Sequence, residues 1–465
     1  MKKSYYSKFG GIDRTTNQVD ADQITFLKLD NYIPNRVDGA IVKRGGSKTW
    51  ATTGNVLGLG SYSKAGSSYF VPNTEVVWRH RRNGSTSTIE RYNTSTDAWD
   101  SCTLGANTSF GPNGIMQFDQ IDTTMMLLGG RPAFTTDITS VNINRLGGPA
   151  PTTAPTWGTG AGVLTGASMG FYTFYNSTTG WESSPSPVTA LTTLTGNQIN
   201  WSGLETSCAK EGVDQKRLYR TTVASGGLPP YYRVTTVSLA TTTYSDNNTD
   251  ATISSNATGP EFLDHNPPPT DSYVGTAYGN RFWIASGSEL YYSKVYDGTS
   301  LSLEYYSPDR VFRFPHRITG LAYTPAFGRL LVFMPAGRGI YYISGLDDET
   351  FTQDVFNRAE GTNFPSSVSY HEEFVCFWGN RGPTLITPQG TVTDFGRPIF
   401  EQLRESAVKE YNGAVYIWSE YHPVAQGFIF GYSATDSATS LWEDAGTGLT
   451  VSWTDPSNGG IVGWQ

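Results

Sequence analysis

The amino-acid sequence predicts an all-β protein: a β-propeller of five to seven blades, six preferred, interrupted by an immunoglobulin- or fibronectin-like β-sandwich. Three observations predict it. Apolar and aromatic residues run in short groups bounded by Gly, Asn, Asp, Ser or Pro, the signature of strands and turns. A strand-turn-strand unit returns about every 40–50 residues, the period of propeller blades. A proline-marked middle third breaks that repeat. Composition agrees: 13% of the 465 residues are aromatic and 16% charged, against roughly 25% charged in an average domain, so charged helical faces are scarce.

Residues 1–150 are assigned to an N-terminal segment and the first blades. Within them, Tyr92 is followed by NTSTDA and Trp99, a Tyr-turn-Trp hairpin of the kelch type, repeated as Tyr432 and Trp442 near the other end. GGPAPTTAPTW then reads as a linker. Six or seven short strands at turn intervals of roughly 8–15 residues follow, which makes 151–258 the inserted sandwich. The prolines of FLDHNPPPTD mark the return to the remaining blades over 259–465. There the repeat begins at Tyr278 (YGNRFWIAS), Phe327 (FGRLLVFMP), Tyr370 (YHEEFVCFWG) and Tyr411 (YNGAVYIWS). One short amphipathic helix is expected at 398–410, where Ile399, Leu403 and Ala407 share a face. Residues 1–50 and the final GGIVGWQ are expected to close the ring of blades, which would remove exposed sheet edges.

Cys102, Cys208 and Cys376 are odd in number and lack paired spacing, which argues against a disulfide framework or a zinc site. MKKSYYSKFGGID has no apolar stretch behind its lysines, and no run is long enough to span a bilayer. A soluble chain made in a reducing cytosol is therefore expected. The net charge of −8 argues against a surface that binds nucleic acid throughout. One basic segment runs the other way: Arg79, Arg81 and Arg82 stand beside Trp78 and a turn-type sequence, NGS. Arginines with an aromatic can bind phosphate and stack on bases. The favoured reading is a solvated hairpin or a subunit contact, because alternation sends Arg79 and Arg81 to one face and His80 and Arg82 to the other.

No catalytic residue, cofactor site or metal site is assigned. Gly166–Gly170 formally matches a serine nucleophile elbow around Ser168, but strand rather than helix follows it. His371, Glu372 and Glu373 lack the second histidine of a metalloprotease helix. Asp347, Asp348 and Glu349 form an acidic turn without the alternating oxygen ligands of a calcium loop.

GGID at Gly10–Asp13, LDNYIPNRVDGAIVKRGG at Leu29–Gly46, GWESSPSP, KRLYRT, NRFWIASGSELYYS and GIYYISG occur in consistent order along most of the chain. Together they resemble the tail nozzle or hub proteins of short-tailed bacteriophages, also described as packaged-DNA stabilisation proteins. The resemblance implies a structural virion protein of the tail, made in the bacterial host cytoplasm. It implies a homohexameric ring below the portal and adaptor proteins, adjoining tail fibre or needle proteins. Such a ring retains packaged double-stranded DNA and conducts it through its lumen without specific binding. The competing expectation is a propeller-type phage tail protein that binds or hydrolyses glycans, whose paired carboxylates sequence cannot locate.

Overall fold

The computed structural model describes residues 142–371 continuously, most of 96–135 and 374–394, and, outside these, the strands at 32–34, 41–43, 55–63, 75–83, 86–93, 417–422, 427–432 and 460–464. The fold is mostly β. A hairpin of β1 (Tyr32–Pro34) and β2 (Ile41–Lys43) precedes a succession of antiparallel sheets. The first sheet is β3 (Asn55–Ser63), β4 (Glu75–Asn83), β5 (Thr86–Asn93) and β6 (Ala98–Ser101). The second contains β7 (Thr103–Leu104), β8 (Gln117–Ile121), β9 (Thr124–Leu128), β10 (Ala133–Thr135) and β11 (Asn142–Arg145), with β7 added parallel to β11.

Two three-stranded sheets then share one core. β12 (Thr156–Ser168), β14 (Thr192–Ser202) and β17 (Tyr244–Asp246) form one; β13 (Gly170–Tyr175), β15 (Gln215–Thr221) and β16 (Tyr231–Ser238) form the other. A single helical turn, α1 (Asp250–Ile253), follows. The succession resumes with β18 (Val274–Tyr278), β19 (Arg281–Ser286), β20 (Glu289–Tyr292) and β21 (Val311–Arg313) as the third sheet. The fourth is β22 (Gly320–Thr324), β23 (Arg329–Phe333), β24 (Ile340–Ser344) and β25 (Thr352–Asn357). The fifth is β26 (Ser369–His371), β27 (Phe374–Gly379), β28 (Gly382–Ile386) and β29 (Val392–Asp394). The sixth contains β30 (Ile417–His422), β31 (Gly427–Tyr432) and β32 (Gly460–Trp464), the last formed by the expected terminal strand. The helix expected at 398–410, Tyr411 and Trp442 lie outside the described residues.

The sheets stack through their faces. β9 sends Met125 and Leu127 into a core shared with Trp78 and Ile89 of the first sheet, and Met126 and Leu128 into one shared with Phe282 and Ile284 of the third. β19 turns Trp283 and Ala285 towards Leu330 and Val332, while β23 turns Leu331 and Phe333 towards Val375 and Phe377. Strands β9, β19 and β23 are therefore buried on both faces, which explains continuous apolar runs such as RFWIA and RLLVF in place of alternation. Each fully buried large side chain contributes about 1.5–3 kcal/mol. Strands β3, β8, β18, β22, β26 and β30 lie side by side in that order, so the second and third sheets touch although the two-sheet unit separates them in sequence. That unit is an insertion between neighbours.

The sandwich buries Leu164, Leu194, Ile199 and Trp201 from one sheet against Tyr172, Phe174, Leu218 and Val234 from the other. Its β13 edge is closed by the segment WESSPSPVT. Amides of Ser183, Ser186 and Thr189 donate to the carbonyls of Phe174, Tyr172 and Gly170 at 3.0, 2.9 and 2.9 Å. The hydroxyls of the same three accept from the amides of Phe174, Tyr172 and Gly170 at 2.9, 3.1 and 3.0 Å. A step of three residues on the strap meets a step of two on the strand, as a proline-extended chain allows. Pro185 and Pro187 carry no N–H, so the strap exposes few donors of its own. Ser186→Ala leaves the buried Tyr172 amide without its acceptor and is expected to cost about 1–3 kcal/mol, measured by urea unfolding.

Candidate functional site

The basic segment occupies β4. In the β4–β5 register, Arg79 pairs with Glu90 and Trp78 with Arg91. Glu90 takes both arginines: its Oε2 lies 2.7 Å from Arg79 Nε, and its Oε1 lies 2.9 Å from Arg81 Nε. The Arg79 guanidinium also stacks 3.9 Å from the centre of the Trp99 ring. Trp99 in turn pairs across β5–β6 with Tyr92, ring centres 5.4 Å apart. The Tyr-turn-Trp hairpin is present, and its tryptophan covers an arginine. Arg79 is fully buried, while Arg81 is 19% exposed on its side chain. The side chain of Arg82 lies outside the described residues. Arg79 and Arg81 share a face, and the countercharge was legible once the turn was located, since the hairpin register places Glu90 opposite Arg79.

His80 points to the other face and is completely buried. Its ring centre lies 6.1 Å from that of Phe110, and neither ring nitrogen has a hydrogen-bond partner. Burial pushes its pKa down to about 4.

A second polar constellation joins the sandwich to its neighbours. Lys210, before β15, forms a 2.6 Å ion pair with Glu304 of the third sheet's β20–β21 connection, both side chains buried. Lys210 Nζ also donates to the Arg145 carbonyl at 2.8 Å. Glu304 Oε2 accepts from the Gly147 amide at 2.9 Å. Burial pushes the Glu304 carboxyl up and Lys210 pulls it back. Gly147 has no room for a side chain: its φ is +66°, and a Cβ would meet Pro268, Pro267 and the Glu304 carbonyl at 2.8–2.9 Å. Beside it, Glu211 accepts from the amides of Asn107 and Arg145 at 2.8 and 3.1 Å.

At the same joint, next to Trp181, Glu182 accepts from Thr173, Tyr219 and Arg217 at 2.6, 2.7 and 2.6 Å. The Glu182 carbonyl lies 3.0 Å from His265 Nδ1, and the His265 ring stacks on Tyr305 at 4.0 Å. Burial, then the Lys294 charge, lowers the His265 pKa. Asp264 binds Lys294 and Arg310. Between the second and third sheets, the half-buried Asp119 accepts from Thr276 Oγ1 and the Ala277 amide, both at 2.7 Å. The carboxylates of Glu304, Glu211, Glu182 and Asp119 are each held by donors from neighbouring segments, which suits fixed mounting of one unit on another. Sequence reasoning missed them because the partners lie up to 158 residues apart in the chain.

The other singled-out residues are equally engaged. Ser168 is buried and donates to the Thr221 carbonyl at 2.8 Å, closing the joint between β12 and β13. Asp347 caps its own turn through Thr350, and Asp348 binds Arg281 and Arg310. His371 ends β26; Glu372 and Glu373 lie outside the described residues. Cys102, Cys208 and Cys376 are free thiols, that of Cys208 pushed up to about 12 by burial. Among the described residues no three His, Cys, Asp or Glu side chains group as metal ligands, and no helix is long and apolar enough to cross a membrane.

No protein-family model matches the chain, and no curated protein matches it in sequence. Among solved structures, a 6-phosphogluconolactonase-like protein from Bacteroides uniformis is similar at 10% identity over 79% of this chain and 90% of its own, with a TM-score of 0.32. AztD from Citrobacter koseri is similar at 10% identity over 78% and 92%, with a TM-score of 0.26. The Dos1 propeller is similar at 10% identity over 75% and 79%, with a TM-score of 0.19. Likeness at these TM-scores carries no conclusion about activity.

Proposed function

We propose that this chain is a six-bladed β-propeller carrying an inserted fibronectin-like sandwich, and that it serves as a structural tail nozzle or hub protein of a short-tailed bacteriophage. Six copies form a ring below the portal and adaptor proteins that retains packaged DNA and conducts it on ejection. The observation that carries the reading is the succession of six antiparallel sheets whose leading strands lie side by side, with a sandwich locked rigidly between the second and third.

Support also comes from where the resembling motifs fall. GWESSPSP is the strap on β13; KRLYRT lies in β15 and supplies Arg217, Tyr219 and Arg220; NRFWIASGSELYYS is the β19–β20 hairpin. Arg220 is buried against Asp246 at 2.6 Å. These residues hold sheets together, as a load-carrying protein requires. Each copy carries −8, so a ring of six presents a strongly acidic body, which repels a polyanionic duplex and limits sticking during transit. Arg81 is the one of the three sequence-selected arginines whose described side chain reaches the surface.

The test is native mass measurement of the purified protein, alone and with the portal–adaptor connector. A six-subunit ring that joins the connector is the expected result; a monomer that never joins it overturns the reading. Incubation with host surface polysaccharide is expected to release no reducing ends. Steady release would move the assignment to the glycan-hydrolysing alternative.

A further inference from the structure

Between Arg145 and Glu205 the sequence carries one charged residue, Glu182, and that carboxylate is turned inward onto Thr173, Tyr219 and Arg217. The surface of β12 and β14 is therefore electrically neutral on a chain of net charge −8. It is also open at its edge. β13 is closed by its strap, and β16 by residues 257–259, where the Arg233 amide donates to Ala257 and the Gly259 amide to Tyr231, both at 2.9 Å. β17 is three residues long. β12 is thirteen residues long and pairs with β14 alone; around Gly166 it packs against residues 223–225, while along Thr156–Ala161 nothing among the described residues pairs with its outer side.

Natural edges are blunted by charge, proline or bulges. β12 has no charge and no proline. Its register shifts twice, between Ala161 and Leu164 and between Leu164 and Thr165, and Asn247 Oδ1 accepts from the Val163 amide there at 2.9 Å. Thr156–Ala161 remains an uninterrupted run with glycine at 158 and 160. This chain's own fold does not require Gly158: its φ is not positive, and a Cβ there would meet nothing nearer than Asn200 at 3.9 Å. Glycine in a strand without such a need suits close approach of another backbone. Exposed apolar side chains flank the edge: Val163 at 59%, and, at the Ser168 end, Leu191 at 54% and Leu228 at 68%. Leu191 and Met169 close over Gly227, next to Leu228.

We propose that the open β12 edge, with Val163, Leu191 and Leu228 around it, is the surface on which a second copy of this chain docks by strand addition. Electrostatics selects the occupant. Two copies of −8 repel wherever their charged surfaces meet, and that opposition is least at a face with no charge. Main-chain hydrogen bonds along Thr156–Ala161 supply register, and the leucines supply apolar contact. The inference rests on the ring reading only in that the chain associates with itself.

The experiment compares wild type, Gly158→Glu and Val163→Glu by sedimentation and native mass over a concentration series, with circular dichroism and thermal unfolding as controls. Both substituted positions are exposed in the single chain, so unfolding should be unchanged. Like charges placed on the edge should weaken self-association at least about tenfold. Amide exchange over 156–161 should be slow in assembled wild type and fast in the variants. Variants that assemble as wild type does overturn this surface and leave the ring reading standing. A wild type that dimerises, with monomeric variants, supports the surface and overturns the ring. A wild type that stays monomeric overturns both.

Discussion

Glu304→Ala is expected to remove about 3–5 kcal/mol of stability, the cost of leaving a buried charge without its partner. Lys210 is buried, 2.6 Å from Glu304, and its other acceptor is one neutral carbonyl, that of Arg145. The same substitution takes the acceptor from the Gly147 amide. Because the residues involved come from the second sheet, the sandwich and the third sheet, the loss should appear as loosened mounting of the sandwich. Amide exchange around 145–148 and 208–211 should accelerate while the β22–β25 sheet stays protected. Pairing Glu304→Leu with Lys210→Met should restore most of the stability, since matched apolar groups avoid the desolvation that the ions pay. A single variant as stable as wild type would show that the pair contributes nothing to the joint.

His80→Leu is expected to flatten the acid limb of the stability curve. The buried imidazole has a folded-state pKa of about 4, against roughly 6.5 when unfolded. Above pH 6.5 both states hold it neutral and it adds no pH dependence. As pH falls below 6.5 the unfolded chain takes up a proton that the folded chain refuses, and stability is lost until about pH 4. A difference of this size corresponds to about 3 kcal/mol over that interval. The leucine variant lacks that term, so the gap between variant and wild type should widen by about that amount between pH 7 and pH 4. Guanidinium unfolding at both pH values measures it. A constant gap would mean that His80 finds a proton acceptor or water on acidification. Leucine also removes two ring nitrogens that have no hydrogen-bond partner, so the variant should not be less stable at pH 7 through polar loss.

Much of the architecture was legible because strand and turn chemistry is local. The aromatic-led repeats from Tyr278 and Phe327 coincide with the β18–β19 and β22–β23 turns, where Asn280 and the glycines at 279 and 328 adopt positive φ. The Tyr92–Trp99 pair was readable from its turn for the same reason. Runs such as TMMLL revealed strands but not what each face touches, because a strand buried on both sides loses its period of two.

The candidate sites were far less legible. Arg79 reads in sequence as a phosphate ligand or surface charge, and in the fold it is a buried brace between Glu90 and Trp99. Nothing near Lys210 or His265 announces Glu304 or Tyr305, since those contacts are made by loops whose meeting depends on how whole sheets stack.

By itself the sequence determined that the chain is built of short strands in repeated units, with an almost uncharged stretch in its middle and a net charge of −8. Those properties follow from side-chain alternation, turn residues and a sum of charges, and need no knowledge of distant contacts. Only the tertiary structure decided which charges are neutralised inside, which edge of the sandwich stays open, and that the second and third sheets meet across the insertion. The physical reason is that pairing and burial are properties of neighbours in space. A residue's partners are set when sheets pack face to face, and the order of the chain does not contain that distance.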